Sequence, residues 1–195
     1  ISGASSLGGS VTTTSTQTYT GAATLTGNTT LATSSAQVTF SNTINSEGSE
    51  TNNLTITASE TEFNGIIGGS QGIGIMDING TLDLNAAITN ATSIDVSSTS
   101  NIGANVTTSG TQTYTGATVL STDVTLTTTN SNVVFGSTVT STGSSSSNLL
   151  YYTTTTKRNG SGDIVYETGY GLGGTDAAAT YSGDIDTVTY RMEYD

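Results

Sequence analysis

The residue types that carry out most enzyme and metal chemistry are scarce in this chain. It has 195 residues with no His and no Cys, which excludes Ser–His and Cys–His catalysis and any metal site made of His or Cys. Its charged residues are 15 acidic and 3 basic, for a net charge of −12. Any chemistry must therefore depend on carboxylates, hydroxyls, amides and tyrosines.

Three carboxylate pairs are spaced as candidate acid–base residues: Glu60 with Glu62, Asp77 with Asp83, and Asp184 with Asp186. Two carboxyl groups are enough to hydrolyse a glycosidic bond, and some β-helix proteins are glycosidases or lyases. None of these pairs lies in a sequence cluster of aromatic residues and Arg, and residues 1–149 contain no Lys or Arg. We therefore expect no enzymatic activity, and a carbohydrate-active enzyme is the least favoured alternative.

Two other motifs resemble ligand sites and have simpler interpretations. Asp184 and Asp186 are candidate Ca²⁺ ligands, but their spacing is unlike that of an EF-hand loop, so solvated carboxylates are favoured and no cofactor is expected. The glycine-rich segment 68–75 is similar to a dinucleotide-binding turn, which requires a following helix. A strand-like segment follows instead, so the sequence predicts a simple corner there.

Tyrosines and cations are concentrated in residues 149–195. This segment holds seven of the nine Tyr and all three basic residues. Because Tyr and Arg are enriched where proteins bind partners, the candidates for partner contact are Tyr151, Tyr152, Tyr166, Tyr170, Tyr190 and Arg191. The same tyrosines could instead form the core of a small sheet or pack against the rest of the chain.

The elements that position these residues are predicted to be β-strands throughout. Apolar and polar residues alternate in short runs such as 38–40, 54–56 and 94–96, and this period of two is typical of strands. Residues 149–156 and 164–170 flank a turn-forming segment at 158–163, which predicts an antiparallel hairpin. Residues 188–194 alternate in the same way.

A repeat of 95 residues organises most of the chain. Residues 11–44 match residues 106–139 without a gap, with half of the positions identical. A shorter rhythm of about 20 residues has the length of one solenoid coil, so the long repeat would hold about five coils. Residues 1–148 are therefore predicted to form a parallel β-helix of seven coils, roughly 30–35 Å long; a β-sandwich with a duplicated hairpin is the alternative. Its predicted core includes Leu25, Leu31, Val38, Phe40, Leu120, Leu126, Val133 and Phe135.

The segments 107–118, 123–128 and 133–140 resemble the repeats of filamentous haemagglutinin-like adhesins, which are bacterial exoproteins of two-partner secretion systems. The resemblance covers residues 1–149. It implies a right-handed parallel β-helix without catalytic residues, located at the cell surface or outside the cell. Residues 149–195 would then form a separate, Tyr-rich antiparallel β module, and we expect the natural protein to continue beyond it.

The expected function is that of a structural and adhesive segment, with a self-assembling subunit of an extracellular filament or sheath as the alternative. The expected partners are a glycan or protein on a host or neighbouring cell, or copies of the chain itself. The acidic balance argues against nucleic acid as a partner. No apolar run is long enough for membrane insertion.

Overall fold

The computed structural model describes residues 1–142, 149–158, 164–173 and 188–193. Within these ranges the chain forms twenty β-strands and no helix. No membrane-spanning helix is found among the described residues. The strands are, in chain order, β1 Ser5–Leu7, β2 Ser10–Thr13, β3 Gln17–Tyr19, β4 Ala23–Leu25, β5 Thr29–Thr33, β6 Gln37–Phe40, β7 Ile44–Ser46, β8 Leu54–Phe63, β9 Ile73–Leu84, β10 Ile88–Val96, β11 Ser100–Ile102, β12 Val106–Thr108, β13 Gln112–Tyr114, β14 Thr118–Leu120, β15 Thr125–Thr127, β16 Val133–Phe135, β17 Val139–Ser141, β18 Leu149–Arg158, β19 Ile164–Gly173 and β20 Val188–Glu193.

Strands β1 to β17 stack in parallel and wind into a solenoid with three faces. On face A the residues in register from the first coil to the seventh are Ser5, Ala23, Ile44, Ile67, Ile88, Val106 and Leu126. On face B they are Val11, Leu31, Ile56, Ile78, Val96, Tyr114 and Phe135. On face C they are Tyr19, Phe40, Phe63, Leu84, Ile102, Leu120 and Ser141. The predicted parallel β-helix is confirmed.

Each coil forms because alternating residues point inward from three short strands. In β3, for example, Gln17 and Tyr19 are buried while Thr18 is exposed. A single coil cannot bury this stripe of side chains, but a neighbouring coil covers it on each side. Strands β8 and β9 are longer because each runs across faces B and C.

The interior is a continuous column of Ile, Leu, Val and aromatic side chains. Of the eight residues predicted to be buried, seven are at most 8% exposed, which confirms them. Phe135 is only partly buried against the core, so its predicted full burial is wrong. Phe135 lies in the seventh coil. Among the described residues no eighth coil follows, so only the sixth coil covers its side chain.

The 95-residue repeat does not return a residue to the same face. Gln17 and Tyr19 lie on face C in the first coil, whereas their repeat counterparts Gln112 and Tyr114 lie on face B in the sixth. One repeat therefore spans four and two-thirds coils, close to the five predicted. This offset is possible because all three faces have the same alternating in–out pattern, so each can take the same sequence.

Strands β18, β19 and β20 form the antiparallel sheet that the sequence predicted. β18 pairs along its whole length with β19, and its other edge pairs with β20. β20 in turn pairs antiparallel with β15, the last strand of face A. The sheet therefore extends face A beyond the seventh coil.

Candidate functional surfaces

The acidic residues of the solenoid are concentrated in its middle coils. Residues 1–46 contain none, and seven of the eight acidic residues before position 143 lie between Glu47 and Asp95. No Lys or Arg occurs in residues 1–142. The middle of the solenoid is therefore a negatively charged surface, and its first two coils are uncharged apart from the amino terminus.

The structure brings together one of the carboxylate pairs that the sequence suggested for hydrolysis, because Glu60 and Glu62 on β8 both accept from the Gln37 amide, but it separates Asp77 from Asp83. Asp77 is on face B and Asp83 on face C. Each instead has a carboxylate as its register partner in an adjacent coil, because Asp77 pairs with Asp95 and Asp83 with Glu62. Stacking like charges in this way is unfavourable, so these positions need compensating contacts.

Neutral amides and hydroxyls supply those contacts on face C. Asn101 donates from Nδ2 to Asp83 Oδ1 at 2.9 Å. Gln37 donates from Nε2 to Glu60 Oε2 at 3.0 Å and to Glu62 Oε2 at 3.3 Å. The carboxylates thus take part in a network of surface hydrogen bonds.

Among the described residues, no group of three or more acidic side chains is placed to hold a metal ion. Asp184 and Asp186 lie outside the described residues.

A buried hydrogen-bond network occupies the corner between β2 and β3. Gln17 donates from Nε2 to the Val11 carbonyl at 3.2 Å and to the Ala32 carbonyl of the next coil at 2.9 Å. Its Oε1 accepts from the Tyr19 hydroxyl at 3.0 Å. The side chain of Gln17 therefore closes one corner and joins two coils.

The same network recurs on face B, 95 residues later. Gln112 donates to the Val106 and Thr127 carbonyls at 3.2 and 2.8 Å, and accepts from the Tyr114 hydroxyl at 3.3 Å. Burial raises the pKa of both Tyr19 and Tyr114 above the ordinary value of 10.0. Both tyrosines therefore stay neutral hydrogen-bond donors, and the Gln–Tyr pairs stabilise the coils. Gln17 and Tyr19 are identical to Gln112 and Tyr114 in the 95-residue repeat, and the fixed position of Gln two residues before Tyr is the one sequence signal for the buried amide.

The glycine-rich segment 68–75 forms a corner, as predicted. Gly68 has φ +72°, and a Cβ at this position would meet the Asn90 carbonyl oxygen of the next coil. The chain then enters β9, so no helix follows to bind a phosphate. The dinucleotide alternative has no support here.

The candidate partner-binding residues are distributed over the three tail strands. Tyr152 is in register with Tyr170 on one side and with Arg191 on the other, and Arg191 is in register with Thr125 of the solenoid. These residues form one cross-strand row. The other candidates occupy different rows: Tyr151 opposite Gly171, Tyr166 opposite Thr156, and Tyr190 opposite Thr153 and Leu126.

The next row on the same side of the sheet consists only of threonines. Thr154 is in register with Thr168 and Thr189, and Thr189 with Thr127. The structure thus places two Tyr and one Arg in one row and only Thr in the row beside it.

Comparisons with protein-family models, curated proteins and solved structures find no match to this chain.

Proposed function

We propose that the chain is a structural and adhesive segment of a secreted bacterial cell-surface protein, of the filamentous haemagglutinin-like kind that its repeats resemble. The shaft is the solenoid of residues 1–142, and the tail sheet is β18, β19 and β20. The observation that carries the proposal is the pairing of β20 with β15, which attaches a Tyr- and Arg-containing sheet to one end of the shaft.

Binding energy at protein interfaces is concentrated in residues such as Tyr and Arg. The shaft offers few such groups, because its two tyrosines, Tyr19 and Tyr114, are buried and its surface is rich in Thr, Ser and Asn. The row of Tyr152, Tyr170 and Arg191 is therefore the proposed contact with a glycan or protein on another cell.

The experiment replaces this row in the full chain. We expect the triple variant Tyr152→Ser, Tyr170→Ser and Arg191→Ser to lose at least about tenfold in binding to immobilised glycans, matrix proteins or cells, because truncated anchor residues cost on the order of 2 kcal/mol. The matched control is Thr154→Ser, Thr168→Ser and Thr189→Ser on the neighbouring row, which should bind normally. Equal binding by both variants and the unaltered chain would contradict the proposal.

A self-assembling filament subunit is the second candidate. Among the described strands, β16 and β17 have a parallel partner in the sixth coil only, and an open strand edge is a template for another chain. Electron microscopy of the purified chain separates the two functions: isolated short rods favour the adhesive segment, and long uniform fibres favour the subunit. A carbohydrate-active enzyme is the third and least favoured candidate.

A further inference from the structure

Strand β18 occupies the same place in the second repeat as β8 does in the first. β8 spans Leu54–Phe63 and β18 spans Leu149–Arg158, so their bounds differ by 95 residues at both ends. Seven residues connect β7 to β8, and seven connect β17 to β18. The repeat therefore persists in strand length and spacing past the point where sequence identity fades.

In the first repeat, β8 builds the next coil of the solenoid. It pairs in parallel with β5, where Leu31 is in register with Ile56, and then with β6, where Phe40 is in register with Phe63. The repeat counterparts of β5 and β6 are β15 and β16. By this register, β18 belongs on the far edge of β15 and β16, yet in the structure β20 lies on β15.

The existing sheet already holds β18 in a suitable direction. β20 is antiparallel to β15 and β18 is antiparallel to β20, so β18 runs parallel to β15 with one strand between them. Tyr190 of β20 is in register with Leu126 on one side and with Thr153 on the other, so Leu126 is aligned with Thr153. The register of the first repeat would instead align Leu126 with Tyr151. This difference of two residues keeps the same side of the strand facing the same way.

The contact that positions β8 can be remade in the second repeat. Asn28 Oδ1 accepts a hydrogen bond from the Asn53 backbone N–H at 2.9 Å, directly before β8 begins. The counterparts 95 residues later are Asp123 and Asn148. An Asp carboxylate oxygen can accept the same bond as the Asn oxygen.

Most inward positions of β8 have suitable counterparts in β18. The buried residues of β8 are Leu54, Ile56, Ala58, Thr61 and Phe63. The counterparts in β18 are Leu149, Tyr151, Thr153, Thr156 and Arg158. Only Arg158 departs strongly, and it would lie at the water-exposed end of the solenoid.

We propose that β18 and β20 compete for the far edge of β15, so that the end of the shaft has two arrangements. In one, β20 lies on β15 as in the structure. In the other, β18 lies directly on β15 and β16 as an eighth coil, β19 stays paired with β18, and β20 is released. This exchange depends on strand register and not on the proposed adhesive function.

Engineered disulfides distinguish the two arrangements, because the chain has no Cys of its own. Thr125→Cys with Arg191→Cys reports β20 on β15. Thr125→Cys with Leu150→Cys reports the eighth coil, since it repeats the observed pairing of Thr30 with Thr55. Register neighbours lie about 5 Å apart, within reach of a disulfide.

We expect both Thr125 pairs to form disulfides within one chain in a glutathione redox buffer, as measured by peptide mapping. The variant Tyr190→Pro removes a backbone donor from the strand between β15 and β18, so it should raise the Thr125–Leu150 disulfide several-fold. Tyr190→Ala is the matched control and should raise it less.

Two further pairs calibrate the disulfide yield. Thr30→Cys with Thr55→Cys gives the yield expected when two residues are register partners. Thr30→Cys with Leu150→Cys gives the background yield of residues that are not paired. A Thr125–Leu150 yield at that background, with and without Tyr190→Pro, would overturn the proposal. A Thr125–Leu150 disulfide found only between two chains would also overturn it.

Discussion

A buried amide side chain stabilises the shaft at two of its corners. Gln17 and Gln112 each donate to backbone carbonyls in two adjacent coils and accept from a buried Tyr hydroxyl. Buried carbonyls without a partner are costly, so the amide allows the backbone to turn without water.

Replacing Gln112 by Leu should destabilise the shaft by about 3 kcal/mol, because it leaves buried carbonyls and the Tyr114 hydroxyl without partners. The free energy of unfolding from urea titration measures this loss. Gln71→Leu is the control: the Gln71 side chain makes a single, water-exposed hydrogen bond to the Glu50 carbonyl at 2.8 Å, so the loss should be within about 0.5 kcal/mol. Equal losses in the two variants would contradict the assigned role of Gln112.

Stability should also fall at alkaline pH because of Tyr114. Burial raises the pKa of its hydroxyl above the ordinary value of 10.0. The unfolded chain then releases this proton near pH 10, while the folded chain retains it, so the stabilisation is complete below that pH and declines as the pH rises above it.

The measurement is the urea midpoint of the unaltered chain and of Tyr114→Phe between about pH 8 and about pH 11. We expect Tyr114→Phe to be less stable at the lower pH, because it loses the bond to Gln112, and to lose less on going to the higher pH. The remaining tyrosines titrate in both proteins, so the difference isolates Tyr114. Parallel curves would show that its burial does not affect folding.

At the scale of the element, a strand depends on the coils on both sides of it. Phe63 is stacked on Phe40 with ring centroids 5.6 Å apart and is fully buried. Phe135 is stacked on Tyr114 with ring centroids 5.4 Å apart, but it lies in the seventh coil and is only partly buried. Comparing the two phenylalanines therefore tests how strongly the position of a coil along the shaft determines the cost of replacing its core residue.

Phe63→Asp should unfold the middle coils, because an unpaired buried charge costs several kcal/mol, about the stability of a whole domain. Phe135→Asp should lower the thermal midpoint by a smaller amount, since Phe135 is only partly buried. Thr18→Asp on the exposed side of β3 is the control and should change little. Thermal unfolding followed by circular dichroism makes the comparison, and equal shifts for the two Phe variants would contradict the difference in burial.

At the scale of the whole molecule, the offset of the repeat distributes one sequence motif over different faces. The Gln–Tyr pair closes a corner on face C in the first coil and on face B in the sixth. Surface residues shift in the same way, so an outward-facing residue and its repeat counterpart lie on different faces of the solenoid. The surface is therefore less repetitive than the sequence.

The amino-acid sequence alone was sufficient to predict the class of fold. Alternation in runs such as 38–40 and 54–56 determines which side chains point inward, and a coil-length rhythm requires these stripes to be buried by stacking. The hairpin of the tail was predictable for the same local reason, since two alternating strands flank a turn-forming segment. The right-handed coiling that the resemblance implies stays a prediction.

The tertiary structure decided which residues became neighbours. Asp77 and Asp83 form a candidate pair in the sequence, but coils of unequal length place Asp77 next to Asp95 and Asp83 next to Glu62. The sequence also did not predict that the 95-residue repeat places equivalent residues on different faces, or that β20 pairs with β15. Parallel register depends on the length of every corner between two strands, and alternation is satisfied equally by any shift of two residues, so only the folded coil selects one of them.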